Sequence, residues 1–272
     1  MLRKFVLTAL MVFAFGTVAH ADATMDKIKS RGKVTVGVLA IGGPFGALDP
    51  VTKELTGWNP ALARKLAEDL GVKIELVEVG TATRVQFLTS GKVDMLIANM
   101  ELTPDRAENL GYAPTPFYRV DGVALTPRNS GIKTWEDLRD KTVCLAQGSS
   151  YARPLAEKYG AKPKGFKTSA ESILALKGGQ CVAAVHDSTF IYPLVQQGGE
   201  WEAYHTPITE DLLPGSSVIW TRKGEADTIA AVDRIVQEWH RSGWLIELES
   251  KLGLKPPSAA LVELHNKFAD KK

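Results

Sequence analysis

A chain of 272 residues, 44% hydrophobic and 24% charged, is long and apolar enough to bury a sizeable core in one large domain or two modest ones. It carries 33 basic and 31 acidic residues. Two of the basic residues, Arg3 and Lys4, belong to an N-terminal leader, so the remainder balances 31 against 31 and lacks the charge footprint of a nucleic-acid or anionic-membrane binder.

The leader comes first in the chain. Behind Arg3 and Lys4 lies an apolar run over 5–18, then Ala19-His20-Ala21, an A-x-A cleavage site with Asp22 after it. The run is too short to span a bilayer as a helix. A signal peptide over 1–21 and export to the periplasm are therefore expected, in an oxidising compartment where Cys144 and Cys181 favour a disulfide over two buried thiols. The two cysteines have no histidine spacing that would suit zinc and form no C-x-x-C motif.

Strands are predicted at 34–39, 74–79 and 95–98, all rich in β-branched or apolar residues. Between them Leu62, Leu66 and Leu70 mark one face of a helix over 61–70, stopped by Gly71, and a second helix over 84–90 stops at Gly91. The alternation then restarts: strand 143–146, helix 150–159, strand 165–167, helix 170–176, strand 182–185 and a helix from Ser188. A looser stretch over 204–215 precedes a strand at 217–221 and an amphipathic helix at 225–243. Such alternation predicts an α/β fold of mostly parallel sheets with helices on their faces.

The chain builds one unit twice. Leu88-Thr89-Ser90-Gly91 and the strand up to Asn99 align without a gap on Leu176-Lys177-Gly178-Gly179 and the strand up to Asp187. Asn99 and Asp187 thus fall at the carboxyl ends of equivalent strands, where open α/β sheets place ligands.

Pro44-Phe45-Gly46, Gly57-Trp58, Gly91-Lys92-Val93-Asp94, Leu102-Thr103-Pro104-Asp105-Arg106, Gln147-Gly148-Ser149-Ser150 and the strand ending His186-Asp187 together resemble the amino-acid-binding proteins of ABC importers, solute-binding protein family 3. The likeness runs in order along essentially all of the chain after the leader. It implies a two-lobed periplasmic binding protein fold of type II, each lobe a mostly parallel sheet flanked by helices. Crossovers are expected at 119–122 and 209–216, with lobe one formed by 22–118 and 217–272 and lobe two by 123–208. One departure is visible: Asn59 and Ala61 stand where the family usually has acidic residues, a change expected to affect helix capping and packing more than the ligand.

The resemblance also implies a ligand set. Arg106 offers a planar fork that matches a carboxylate. The turn Gly148-Ser149-Ser150 offers backbone N–H groups to an anion, although Ser149 and Ser150 would also cap the helix after them. Asp187 is the partner for an ammonium, or an N-cap for the following helix, or both. His186 beside it is expected to be structural more often than ligating. Arg84 resembles the arginine that reaches a distal carboxylate in binders of acidic amino acids. Glu101 argues the other way, because it occupies a position usually held by Ser or Thr, and it is expected to pair with Arg84 or with the ammonium. Asn99 and Phe45 complete the set, and Gly42 stands where binders of basic amino acids place an aromatic wall.

The expected function is capture of a small polar or acidic amino acid by closure of the lobes, with no cofactor, no metal, membrane permease subunits as partners and a monomeric chain. The alternatives on the same fold are a cyclohexadienyl dehydratase-like lyase, for which Glu101 and His186 are the general-acid candidates by position, and a ligand sensor for a membrane receptor. A lyase acting on an acid without an amine has no use for Asp187. The chain also has no G-x-S-x-G elbow, H-E-x-x-H helix or Walker loop.

Overall fold

Residues 22–254 and 258–269 are described in the computed structural model, and the leader expected over 1–21 lies outside them. The first sheet collects its elements from both ends of the chain. They are α1 (Ala23–Arg31), β1 (Lys33–Leu39), a small hairpin of β2 (Ala47–Leu48) and β3 (Leu55–Thr56), α2 (Trp58–Asp69), β4 (Lys73–Val79), α3 (Arg84–Thr89), β5 (Met95–Ile97), α4 (Pro104–Asn109) and β6 (Leu110–Tyr112). The long strand β7 (Tyr118–Pro127) leads into the second sheet with β8 (Thr142–Ala146), α5 (Ala152–Glu157), β9 (Lys162–Phe166), α6 (Ser169–Lys177), β10 (Ala183–Asp187), α7 (Ser188–Gln196) and β11 (Tyr204–His205). Strand β12 (Leu212–Ser217) pairs with β7 and leads the chain back to the first sheet, which β13 (Trp220–Arg222) joins before α8 (Ala226–Arg241), α9 (Trp244–Lys251) and α10 (Ala259–Ala269).

The strand order is β4-β1-β5-β13-β6 in one sheet and β11-β7-β10-β8-β9 in the other, with β12 also paired to β7. In each sheet the central strands are parallel: β1 with β4 and β5, and β8 with β9 and β10. Such strands are covered on both faces and read as unbroken apolar runs. Residues 34–39 of β1, which alternate between the two faces, are accordingly all buried.

Two helices differ from the sequence reading. Helix α2 begins at Trp58, three residues before the expected start. Pro60 sits in its first turn, where a missing N–H costs no helical bond. Asn59, one of the departures from the family pattern, is fully buried and donates from Nδ2 to the Leu39 carbonyl at 3.4 Å. Helix α5 is shorter than the predicted 150–159 and starts at Ala152, with Tyr151 as its N-cap residue. Neither serine caps it; Ser149 Oγ instead accepts the Tyr151 N–H at 3.3 Å.

The repeat is visible in the backbone. Gly91 and Gly179 both turn at φ 72°, a left-handed conformation that suits glycine. Their N–H groups donate to Leu88 at 3.1 Å and to Leu176 at 3.0 Å. Three residues further on, Asp94 and Val182 dock on the neighbouring strand by donating to Thr35 and Thr142.

Between the lobes, β7 and β12 pair antiparallel, Tyr118 opposite Ser217 and Gly122 opposite Leu212, with an irregularity between Leu212 and Gly215. Tyr118 and Val120 pack into the lobe-one core with Phe45 and Trp58, whereas Ala124 and Leu125 pack into lobe two. A two-stranded ribbon thus carries the chain from one lobe to the other. Cys144 of β8 and Cys181, just before β10, form the disulfide, with Cα atoms 5.7 Å apart.

Candidate functional site

The carboxyl ends of β5 and β10 face each other across the interlobe cleft, and a buried charged cluster lies between them. Lobe one supplies Arg84, Glu101 and Arg106. Arg84 opens α3, is 3% exposed, and donates from Nη1 to the carbonyls of Ala98 at 2.6 Å and Asn99 at 3.4 Å. Burial, helped by the neighbouring Arg106 charge, pulls its pKa down to about 10, so it stays cationic at neutral pH. Arg106 lies in the first turn of α4, where Pro104 starts the helix and Thr103 Oγ1 accepts the Arg106 N–H at 3.4 Å. Its Nη1 donates to Glu101 Oε2 at 2.7 Å and to the Glu101 carbonyl at 2.8 Å.

Glu101 therefore pairs with Arg106, rather than with Arg84, one of the two partners expected for it. Its backbone is pinned to the returning crossover by a bridge to Ser217, and it is 3% exposed. Burial works to raise the Glu101 pKa, but the Arg106 and Arg84 charges outweigh it and hold the carboxyl below its usual range. Glu101 is ionised.

Lobe two supplies Tyr151, His186 and Asp187. The Tyr151 hydroxyl lies 2.8 Å from Asp187 Oδ1 and 3.1 Å from Glu101 Oε1, so one hydroxyl joins carboxylates of opposite lobes. Asp187 stands at the N-cap position of α7, but its carboxylate makes no capping bond and turns to Tyr151 instead. Burial, with the Glu101 charge beside it, pushes the Asp187 pKa up to about 7. His186 is hydrogen-bonded to Ser172 Oγ, and burial holds its pKa at about 3, so the ring is neutral.

Further contacts close the cleft. Asn99, at φ 46°, donates from Nδ2 to Thr189 Oγ1 across the lobes at 3.3 Å. Gly148, at φ 78°, comes so close to lobe one that a Cβ there would stand 2.9 Å from the Thr81 carbonyl oxygen and 3.1 Å from Ala82 Cα. Arg153 reaches Asp105 at 3.0 Å on the open surface, where an exposed pair adds little. What is left inside is a cavity of about 20 Å³, lined by Arg84, Glu101, Ser149, Ser150, Tyr151 and Asp187 among others. That is room for about one water molecule, so a larger ligand must part the lobes or displace these contacts.

The structure thus brings together Arg84, Asn99, Glu101, Arg106, Gly148, Ser149, Ser150 and Asp187. It leaves Phe45 outside: that ring is buried in the lobe-one core, edge-on to Tyr118 at 5.3 Å. Gly42 lines a separate apolar groove of about 390 Å³, alongside Pro44, Leu174 and Trp201. Sequence reading missed Tyr151 and Thr189. Tyr151 falls inside the helix that the sequence predicts over 150–159, although its place directly after the Ser149-Ser150 turn is a signal for the cleft.

The family model for bacterial extracellular solute-binding proteins, family 3, matches residues 34–255. This chain belongs to that family. A glutamine-binding protein of Geobacillus stearothermophilus is 32% identical over 181 residues, covering 64% of this chain and 68% of the relative. A cysteine-binding protein from Campylobacter jejuni superposes with a TM-score of 0.78 at 28% identity, over 84% of this chain and 92% of that one. An ancestral amino acid-binding protein described as a precursor of cyclohexadienyl dehydratase superposes at 0.74 with 26% identity, over 84% and 99%. The family is one of binding proteins. The general-acid candidates of the lyase alternative are not poised to give up a proton: Glu101 is ionised against Arg106, and His186 is bonded to Ser172 and kept by burial from its readily donating imidazolium form.

Proposed function

We propose that this solute-binding protein captures a small polar or acidic amino acid in the interlobe cleft and presents it, as a monomer in the periplasm, to the permease subunits of an ABC importer. The observation that carries the reading is the charged cluster itself, in which Arg84 and the Arg106–Glu101 pair of lobe one face Asp187 of lobe two across the cleft. A zwitterion stripped of water needs a charge-assisted partner at each end. In this reading Arg106 takes the carboxylate, aided by the turn at Gly148, Ser149 and Ser150, and Asp187 with Asn99 nearby takes the ammonium. Arg84 is left for an acidic or polar side chain. The hinge lies in the β7–β12 ribbon, at 119–122 and 209–216, with 22–118 and 217–272 moving against 123–208. The ligand favours closure because it touches both lobes only when they meet.

The test is a thermal-shift screen of refolded, ligand-stripped protein against the common amino acids and prephenate. A ligand that binds only the folded state raises the melting temperature with the logarithm of its concentration. A shift with a small polar or acidic amino acid, lost in Arg106→Ala, supports the reading. No shift with any amino acid, together with turnover of prephenate, overturns it.

A further inference from the structure

Arg106, assigned above to the ligand's carboxylate, already has a carboxylate. Glu101 Oε2 stands 2.7 Å from its Nη1, and Glu101 is 3% exposed, so water cannot take over the charge of Glu101 if the arginine turns to another anion. Breaking a buried ion pair on one side strands the partner and is strongly unfavourable. The second oxygen of Glu101 faces the Tyr151 hydroxyl, and the same hydroxyl touches Asp187. A cationic group entering at that hydroxyl would have two carboxylates, one from each lobe, within reach.

We propose that Glu101 makes the site a filter for zwitterions: it is the resident counter-ion of Arg106, and the arginine accepts an incoming carboxylate only from a ligand whose ammonium takes over the charge of Glu101. The proposal rests on the amino-acid reading above and names the residue that enforces it. Asp187 cannot play this part alone. At neutral pH it is partly protonated, whereas Glu101 carries the lasting negative charge of the cluster. With a neutral residue at 101, Arg106 would be free to accept carboxylates that carry no amine.

A rival role for Glu101 is mechanical, since its backbone joins β12 and its own carbonyl also holds Arg106. A mechanical part would weaken every ligand alike. The two roles separate in a ratio. Isothermal titration of the refolded protein with the twenty common L-amino acids identifies the tightest binder. The same titration then uses its des-amino acid, in which hydrogen replaces the ammonium. The wild type should prefer the amino acid by at least about a hundredfold. Glu101→Gln, which keeps shape and hydrogen bonding, and Glu101→Ser should narrow that ratio by about tenfold or more, chiefly by gaining affinity for the des-amino acid. Equal binding of the two by the wild type overturns the filter without any variant. So do folded variants that bind the amino acid with an unchanged ratio. If the wild type binds no amino acid at all, the functional reading falls and the filter with it, an outcome distinct from the other two.

Discussion

Lobe one buries Trp58, Trp220 and Trp239 in a core fed by helices from both ends of the chain, and it contains neither of the two cysteines. Lobe two repeats the same helix–glycine–strand unit in one continuous and shorter stretch, buries Trp135 and Trp201, and ties β8 to the start of β10 with the Cys144–Cys181 bond. A smaller body buries a smaller fraction of its surface and depends more on a covalent staple. The repeat units also diverge at the cleft. Equivalent strand ends carry Asn99, which reaches across to Thr189, and Asp187, which is held by Tyr151. The same frame thus ends in an amide on one side of the cleft and a carboxyl on the other.

The largest expected effect tests the staple. Replacing both cysteines by serine should cost about 4 kcal/mol from the loop-entropy relation, with the loss confined to lobe two. Urea unfolding followed by tryptophan fluorescence should then resolve an early transition of that lobe. A single transition at the wild-type midpoint would show that the lobe-two core is sufficient by itself.

Gly148→Ala probes the seam between the lobes. The added methyl meets the Thr81–Ala82 backbone, and φ 78° strains any L side chain. Amino-acid affinity should fall by about tenfold, equivalent to about 1.4 kcal/mol, and small-angle scattering should show a less compact ligand-loaded form. Unchanged affinity would mean that closure does not bring Gly148 against lobe one.

The smallest effect concerns the acidic side. The Asp187 pKa is raised from 3.8 to about 7, so the folded chain keeps a proton that the unfolded chain has lost. Its contribution to stability is fully present below about 3.8 and is lost as pH rises through about 7. His186, lowered from 6.5 to about 3, has the opposite sign and loses its contribution as pH falls below 6.5. Comparing variant with wild type isolates the first group. Asp187→Asn mimics the protonated acid, so its melting temperature should gain a few degrees on the wild type between about pH 5 and about pH 8. A constant difference across that range would place the titration elsewhere.

Much of this was legible beforehand, for reasons that differ by residue. Val34, Val36 and Val38, and Leu62 with Leu66, declare strand and helix through local periodicity. The repeated glycine stops mark Asn99 and Asp187 as equivalent strand ends in the sequence itself. Ser149 and Ser150 were harder, since a serine at such a turn serves a cap or a pocket equally well. Phe45 misled because an aromatic beside a turn reads the same whether it faces a cavity or a core.

The strand–helix alternation over 34–98 and 143–185 and the pairing of the two cysteines follow from the sequence alone, because apolar period and turn chemistry act over a few neighbouring residues, whereas the antiparallel β7 and β12 between the lobes do not. Which charge answers which was decided only by the tertiary structure. Glu101 meets Tyr151 across 50 positions of chain, and Arg106 takes a carboxylate for which Arg84 or a ligand's ammonium is the partner the sequence suggests. In a buried site the pairing is set by distances of a few ångströms and by the loss of water around each charge, and neither is written in the order of the residues.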